Sequence, residues 1–496
     1  MDATVSGKSH RMLFFNTLAF TVCFAVWTFN GVMVTFLVDN NIFTWTPVQI
    51  GWLLGIPILT GSIFRLPLGM MTDKYGGKWV FGSLLLFCSI PMYCVSLVNS
   101  FEGFAFCSLG FGLAGTGFAI GIANTSVWYP KAWQGRALGI FGVGNAGAAV
   151  TTLLAPTILG KLTGGTELDN WRTLPKIYAA SLLIMAVLFF LLTENKKHSI
   201  TGRTTKQLLQ PLKSIRVWRF GLYYFLVFGC FVAFSQWLVP YFVNAYAASL
   251  VTAGLLASLF SLPSGLIRAL GGWMSDKWGG RKVMYWVFTI SIVCCFLLSI
   301  PQMEIKTPGK AVTCSKKGIV TFVSDTLIKV DDKEYKVIAK TGFKESYDVN
   351  EFLAFPEKQS WQVPSVKVGD EVKKKQLLAK GVSRIYFQAN LWIFAILVLI
   401  IGTVWGIGKA GVYRLIPDYF PNEIGVVGGM VGVLGGLGGF FGPIMFGYLL
   451  DWTGLWTSSW ILMLGLSVIC FWWMKKVVSK LMNKAAPTYS TDVELK

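Results

Sequence analysis

The sequence is poor in charged residues and in histidine, and it shows no pattern of metal ligands. Only 14% of its 496 residues are charged and two are histidine, whereas a soluble domain carries roughly a quarter charged residues. Eight of the nine cysteines lie inside apolar runs. The ninth, Cys314, lies in a polar stretch without a nearby partner for a disulfide or a zinc site. The composition excludes a soluble enzyme and predicts no metal, cofactor or disulfide framework.

Apolar runs long enough to cross a bilayer recur along the chain, in which 54% of the residues are hydrophobic and 53 are glycine. Glycine is frequent in membrane helices because it lets their backbones pack closely. We predict an all-α membrane protein with twelve transmembrane helices in two pseudo-symmetric six-helix bundles. The predicted spans are 12–38, 48–71, 79–99, 103–128, 136–160, 172–193, 217–246, 251–273, 283–301, 389–416, 424–449 and 456–475.

The charge balance sets the orientation of these helices. The formal net charge of +20 could suggest nucleic acid, but most basic residues fall in alternate loops between the apolar runs, so we exclude a nucleic-acid partner. The other loops have almost no Lys or Arg. We therefore expect a multi-pass protein of the cytoplasmic membrane with both termini cytoplasmic. The first span is too long for a signal peptide, so we expect it to be retained.

A motif occurs twice and shows that the two halves are repeats. Arg65 precedes Asp73 by eight residues, and Arg268 precedes Asp276 by the same interval, 203 residues later. Both aspartates open a basic loop, which is typical of a conformational loop motif. A second pair of patterns, beginning at Gly135 and at Gly425, lies 290 residues apart. The change in offset predicts an insertion between helices 9 and 10 of the second half.

The insertion, residues 302–387, has the period of β-strands in 318–323, 328–330 and 335–339, with a turn at Asp331 and Asp332. Its end, 366–381, resembles an element of biotinyl and lipoyl carrier domains, but the modified lysine of such carriers is absent. By span count we expect this small β-rich domain to lie outside the cell. The predicted domains are 1–193, the linker 194–216, 217–301, the insert 302–387, 388–475 and the cytoplasmic tail 476–496.

Arg65 and Arg268 lie inside apolar helices at equivalent places of the two repeats. An arginine in hydrocarbon is costly and by default marks a function, although an isolated one can reach the headgroups or pair with a carboxylate. No Asp or Glu lies within the predicted spans to neutralise these two. A planar guanidinium suits an anion with oxygen acceptors, so we predict a small oxyanion as the substrate.

Three glycine-rich segments extend the pattern, at 110–118, 142–147 and 432–443. Together with the two arginines they resemble the nitrate/nitrite porter family of the major facilitator superfamily, and the resemblance covers nearly all of the chain outside the insert. It implies a membrane transporter rather than an enzyme, with nitrate and nitrite as substrates and the lipid bilayer as its surroundings. The loop motif of Asp73 belongs to the wider superfamily.

The resemblance also implies roles for individual residues. Arg65 and Arg268 would clamp nitrate, Asn145 would donate a hydrogen bond nearby, and aromatic walls would come from Phe118, Tyr224 and Phe228. Without the resemblance, such aromatic residues are more often core or lipid-facing. Five glycines would either let helices 5 and 11 slide against their neighbours or serve only static close packing. They are Gly115, Gly142, Gly144, Gly435 and Gly436.

Two positions depart from the family pattern. Gly117 stands where the family often has asparagine, and Lys409 stands where some members have a neutral amide. A third cation at Lys409 could change the coupling stoichiometry or the anion affinity, or the lysine could be a structural donor or reach the headgroups. The absence of a carboxylate in the spans removes the usual proton relay, which weakens simple proton symport.

Three functions follow from these patterns. The first is a secondary carrier that exchanges nitrate and nitrite by rocking its two halves about the arginines, with nitrate/proton symport as its alternative. The second is a nitrate receptor in which the insert reports occupancy to a protein partner. The third is a facilitator for another oxyanion or a carboxylate.

Overall fold

The computed structural model describes residues 6–164, 167–197, 210–300, 303–340, 357–387, 390–420 and 424–485. The chain forms two compact units, one made of Met1–Ser299 with Ala395–Lys496 and the other of Ile300–Phe394. The predicted insert falls within the second unit, although its residues 302 and 341–356 lie outside the described part of the chain. Most of the predicted linker, 198–209, and the end of the tail, 486–496, lie outside it as well.

The first unit is a helical membrane bundle, which confirms the predicted fold class. Among the described residues, eleven helices are long and apolar enough to cross a membrane, and a twelfth span is bent by 47°. We number the spans α1 Gly7–Asp39, α2 Pro47–Tyr75, α3 Gly77–Leu97, α4 Phe101–Trp128, α5 Arg136–Thr163, α6 Leu168–Leu192, α7 Ile215–Tyr246, α8 Leu250–Leu266 with Arg268–Trp278, α9 Gly280–Leu298, α10 Leu391–Tyr419, α11 Val427–Thr453 and α12 Ser458–Ser479.

Several helices continue beyond their predicted ends. The helix of α12 runs to Ala485, through much of the segment predicted as a tail, and the helix of α11 begins at Ile424. Lysines at 475 and 476 end the apolar run that marks the membrane, but lysine is a good helix former and does not end the helix. Hydropathy therefore located the membrane-crossing part, and the helix itself is longer.

The two helices that carry the membrane arginines are both broken at the arginine. In α2 the first segment ends at Ile63 and the second begins at Arg65; in α8 the first segment ends at Leu266 and the second begins at Arg268. In α2, Pro67 has no N–H to donate to the Ile63 carbonyl, which favours a break there. The repeat seen in the sequence is thus also a repeat of backbone geometry.

Among the described residues, three further spans contain a 3₁₀- or π-helical segment in their middles. Leu113–Thr116 of α4 and Gly142–Ala146 of α5 are 3₁₀-helical, and Phe225–Cys230 of α7 is a π-helix. Such departures within long helices often mark functional hinges. All three segments lie beside the residues of the candidate site described below.

The N-terminal and C-terminal halves pack backbone to backbone at one end of the bundle. Gly51 of α2 lies against the Pro443 carbonyl of α11, and Gly254 of α8 lies against the Thr152 carbonyl of α5. A Cβ at Gly31 of α1 would also meet the backbone of α7. Glycine permits this approach because no side chain separates the backbones. The bundle is therefore closed at the end where α2 begins and α11 ends.

The second unit contains two antiparallel four-stranded sheets. Its strands are β1 Met303–Pro308, β2 Val312–Thr313, β3 Gly318–Val323, β4 Leu327–Val330, β5 Lys333–Lys336, β6 Glu357–Pro364, β7 Glu371–Val372 and β8 Leu377–Phe387. In one sheet β8 pairs with β1, β2 and β6; the other has the order β5-β4-β3-β7. The predicted strands correspond to β3, β4 and β5, although β5 begins and ends earlier than expected. The hydrophobic core of the second unit includes Val320, Ile328, Val330 and Leu378.

Adjacent glycines in α8 offer a matched test of the packing of the bundle. A Cβ at Gly271 would lie 2.7 Å from the backbone of Ile407 in α10, whereas a Cβ at Gly272 would meet nothing within 4 Å. We expect Gly271→Ala to destabilise the protein by about 1–3 kcal/mol, because overpacking forces the helices apart. Gly272→Ala should leave stability unchanged or raise it by up to about 1 kcal/mol through helix propensity. Thermal unfolding of the purified protein in detergent measures both, and equal midpoints would contradict the described packing.

Candidate functional site

Arg65 is buried between the two halves of the bundle. Its side chain is only 4% exposed, and its Nη1 donates a hydrogen bond of 3.0 Å to the Gly432 carbonyl of α11. Its Nε and Nη2 are buried without a hydrogen-bond partner. Buried donors are nearly always satisfied in folded proteins, so two orphaned guanidinium nitrogens indicate room for an acceptor.

Arg268 lies across one aromatic ring from Arg65. Its Cζ lies 5.4 Å from the ring centroid of Phe118, and the Cζ of Arg65 lies 5.5 Å from the same centroid. The Nη1 of Arg268 is also buried without a partner. Within the described parts of the chain, neither arginine forms an ion pair. The structure therefore brings the two predicted clamp residues to a common site, with Phe118 between them.

Each arginine contacts a glycine of the opposite half, and the two contacts are related by the repeat. Arg65 of the N-terminal half bonds to Gly432 of α11, and Arg268 of the C-terminal half packs on Gly142 of α5, where an added Cβ would lie 3.5 Å from its Cδ. Gly142 and Gly432 are equivalent positions, 290 residues apart. The arginines thus cross the interface between the halves in opposite directions.

Aromatic rings form the walls around the arginines. The Cζ of Arg65 lies 5.1 Å from the ring centroid of Phe228, which stacks on Tyr224 at 4.9 Å and faces Phe118 at 6.3 Å. All three predicted aromatic residues therefore belong to the site. Rings at these distances contribute cation–π attraction, which partly offsets the burial of positive charge.

Asn145 lies in the 3₁₀ segment of α5 that faces α8. Its Nδ2 donates one N–H to the Gly142 carbonyl at 2.7 Å, which fixes the amide within its own helix. Its Oδ1 is buried without a partner. The amide nitrogen carries a second N–H, so the hydrogen bond predicted toward a substrate stays a prediction.

Lys409 of α10 is fully buried and does not reach the membrane surface. Its Nζ donates a hydrogen bond of 2.9 Å to Ser264 Oγ and lies 3.1 Å from the centroid of the Phe231 ring and 5.8 Å from that of Phe228. A lysine over an aromatic face is in the geometry of a cation–π interaction. The third cation therefore adjoins the arginine site through the shared ring of Phe228.

The predicted gating glycines divide into two groups. Gly142 and Gly436 lie between the halves, the latter against Ser62 and Arg65 of α2. The other three pack within one half against aromatic rings: Gly115 against Trp27, Gly144 against Phe20 and Gly435 against Tyr224. Trp27 contacts Arg65, and Phe20 contacts Phe118. Only the first group lies where one half contacts the other.

The two aspartates of the loop motif lie at corresponding places in the two repeats. Asp276 accepts a hydrogen bond of 2.8 Å from Nε of Arg414, and Nη1 of Arg414 reaches Asp418 at the same distance. Asp73 lies half-buried in the last turns of α2. Both aspartates lie near the ends of the broken helices, away from the arginine site.

Two site residues have no signal in the sequence motifs. The ring of Trp27 in α1 lies 5.3 Å from the Cζ of Arg65 and is fixed by a 2.8 Å bond from its Nε1 to the Pro57 carbonyl. The ring of Tyr413 in α10 lies 5.7 Å from the Cζ of Arg268, and its hydroxyl donates to the Gly428 carbonyl. Tyr413 lies four residues after Lys409, and its place in the sequence gives no reason to choose it as a site residue.

Known proteins resemble this chain over 63% to 98% of its length. The "Probable nitrate/nitrite antiporter NarK1" of Thermus thermophilus is 36% identical over 492 residues, which cover 98% of this chain and 95% of that protein. The "Nitrite extrusion protein" of Bacillus subtilis is 26% identical over 315 residues, or 63% of this chain and 77% of that protein.

Solved structures share the fold. A bacterial homolog of the human lysosomal transporter Spinster, inward-facing and occupied, matches with a TM-score of 0.62 at 14% identity over 95% of this chain and 98% of its own. The nucleoside transporter NupG matches with a TM-score of 0.57 at 13% identity over 95% and 99%. The sequence profile of the Major Facilitator Superfamily matches residues 16–312. With the paired arginines and the glycine-rich helices, these findings establish that the chain belongs to the nitrate/nitrite porter family of the Major Facilitator Superfamily, a family of transporters and not of enzymes.

Proposed function

We propose that this protein is a secondary transporter that carries nitrate and nitrite across the cytoplasmic membrane, with both termini cytoplasmic. The observation that carries the proposal is the pair of guanidinium groups around Phe118, which have orphaned buried N–H donors and no carboxylate partner among the described residues. An anion between them supplies both the missing acceptors and the missing charge.

The chemistry of the site favours a small planar oxyanion. A guanidinium presents its donors in a plane, and a planar oxyanion accepts two of them side by side. The flat walls of Phe118 and Phe228 suit a planar group as well. Relatives described as nitrate/nitrite antiporter and nitrite extrusion protein support nitrate and nitrite as the anions. A facilitator for another oxyanion remains the alternative that a competition assay would reveal.

Alternating access would use the interface between the halves. The bundle is closed at the end where α2 meets α11, and the arginines cross the interface at the level of the helix breaks. Glycines at the contacts leave few interlocked side chains to separate when the halves rock. The anion would be released when the crossed contacts of Arg65 and Arg268 open on one side.

Exchange rather than net transport follows from the charge of the site. Arg65, Arg268 and Lys409 place three cationic side chains around the ring of Phe228 and its neighbour Phe118, without an ion pair among the described residues. Uncompensated charge in a low-dielectric site is expensive, so the empty carrier should reorient slowly. Each bound anion lowers the cavity charge by one, and the loaded carrier should reorient faster. Proton symport, in which nitrate would enter together with a proton, is the second candidate.

The first prediction concerns the clamp. In Arg65→Lys and Arg268→Lys the charge remains but the planar fork is lost, so kcat/KM for nitrate should fall about tenfold or more in each. Counterflow of labelled nitrate in proteoliposomes measures this, with nitrite and chloride as competitors. Arg136→Lys, an arginine that stacks on Trp133 at the start of α5, serves as the matched control and should transport normally. Normal uptake in both clamp variants would refute the proposal.

The second prediction concerns coupling. Lys409→Gln removes one of the three cations and keeps a donor for Ser264, so net efflux should rise relative to exchange. The measurement is efflux of preloaded nitrate with and without external nitrite, at fixed membrane potential and several pH values. If the unsubstituted protein shows equally fast efflux without an external anion, and the flux follows the pH gradient, proton symport replaces exchange.

The third prediction concerns alternating access. A Cβ at Gly447 of α11 would lie 3.2 Å from the Cα of Val48 in α2, which is close enough for a disulfide between the substituted cysteines. It would also lie 2.5 Å from the Pro47 carbonyl oxygen, so the single Gly447→Cys variant measures the cost of that contact. We expect oxidised Val48→Cys/Gly447→Cys to lose exchange, because the closed end cannot open, and to regain it on reduction. Each single substitution under oxidising conditions is the control. Unimpaired exchange in the cross-linked protein would show that this end does not move.

A further inference from the structure

A second cluster of arginines lies at the start of α7, near the membrane surface and away from the transport site. Three guanidinium groups surround the ring of Tyr419 at the end of α10: the Cζ atoms of Arg216, Arg219 and Arg281 lie 5.3, 5.9 and 5.5 Å from its centroid. Arg281 also bonds to the Tyr419 hydroxyl through Nη2 at 2.5 Å. Helices α7, α9 and α10 therefore bring three positive charges to one ring.

The sequence explains how α7 contributes two of these groups. Arg216, Arg219 and Tyr223 follow one another at intervals of three and four residues, which places them on one face of a helix. Arg281 is the second residue of α9 and lies five residues after Asp276. Nothing in the transport proposal uses these residues.

The cluster has no carboxylate of its own. Within the described residues, no ion pair involves Arg216, Arg219 or Arg281, whereas the nearby Asp276 and Asp418 are both bound by Arg414 at 2.8 Å. A local excess of three cations remains. Exposed arginines can be balanced by solvent ions, but a buried one needs a partner.

Arg219 is that buried arginine. Its residue is 7% exposed, and its Nε is enclosed without a hydrogen-bond partner. One turn further along α7, the hydroxyl of Tyr223 is fully buried and likewise has no partner. Two orphaned donors on the same helix face are unusual, and they indicate an acceptor that the protein itself does not supply.

Both residues line one narrow crevice, which has room for about one group of the size of a water molecule or a phosphate oxygen. Its charged side is formed by Arg219 and Arg281, and its remaining wall is apolar, made by Leu415, Met474, Val477 and Val478. The crevice thus offers guanidinium donors beside a hydrocarbon surface. A free ion would use only the donors, whereas a lipid would use both.

We propose that this crevice binds the phosphate group of an anionic phospholipid, with Arg219 and Arg281 as its donors and Arg216 as an additional cation at the mouth. Guanidinium groups suit phosphate because they can donate two parallel hydrogen bonds to its oxygens. Basic pockets between transmembrane helices at the membrane surface are typical sites for lipid headgroups. The bound lipid would join the ends of α7, α9, α10 and α12 within the C-terminal half.

The test is lipid binding to the purified full-length protein in neutral detergent. Titration with phosphatidylglycerol, followed by the thermal unfolding midpoint and by native mass spectrometry, should show one lipid retained more strongly than the others. Phosphatidylcholine with the same acyl chains should not replace it. In Arg281→Gln, an exposed position, and in Arg219→Gln, we expect the apparent dissociation constant to rise about tenfold or more, as for the loss of a charged hydrogen bond.

Arg136→Gln is the matched control, because Arg136 is also an exposed arginine stacked on an aromatic ring at the start of a helix. Its lipid affinity should equal that of the unsubstituted protein. Unchanged retention in both Arg219→Gln and Arg281→Gln would overturn the site. An equal rise in the unfolding midpoint with inorganic phosphate alone would overturn the lipid as the source of the oxyanion.

Discussion

The structure of the bundle depends on two arginines that share one aromatic ring and have no acidic partner in the part of the chain that the structure describes. Burying an unpaired guanidinium is unfavourable, so the surrounding residues must limit the cost without neutralising the charge. Trp27, Phe118, Phe228 and Tyr413 do this with ring faces, and the Gly432 carbonyl with a single hydrogen bond. A carboxylate would stabilise the folded protein better, but it would occupy the place of the proposed anion. Stability is thus limited at the point where binding is needed.

Much of this arrangement could be predicted from the sequence, because it is written in local patterns. Hydropathy located the twelve spans, and the doubled motif placed Arg65 and Arg268 at equivalent positions. The crossed contacts with Gly142 and Gly432 could not be predicted, since they depend on how two halves meet across some hundreds of residues of chain. Trp27 could not be predicted either, because an aromatic residue in an apolar helix has no neighbour in the sequence that distinguishes it from the others. The hydrogen bond from Asn145 to the Gly142 carbonyl could not be predicted either, because it depends on the 3₁₀ geometry of this segment of α5.

The inserted unit shows how an added domain can be accommodated between two membrane helices. Its first and last strands, β1 and β8, pair along their length, with Met303 opposite Phe387. The two ends of the unit therefore lie side by side, as in other domains that tolerate insertion. Val320, Ile328 and Leu378 form a hydrophobic core within the unit. Because the two ends of the unit lie side by side, the repeat pattern of the bundle continues after the insert.

The breaks in α2 and α8 have a mechanical consequence. Arg65 and Arg268 are each the first residue after the break, so each side chain is attached at the pivot of its helix. When a bent rod changes its angle, the far ends swing through the largest arcs and the pivot travels least. The charged groups would thus remain nearly stationary while the ends of the helices open and close around them. In the proposed transport cycle, the guanidinium groups would therefore move little relative to a bound anion. The electrostatic work of reorientation would be small, because the helix ends move and the charged groups do not.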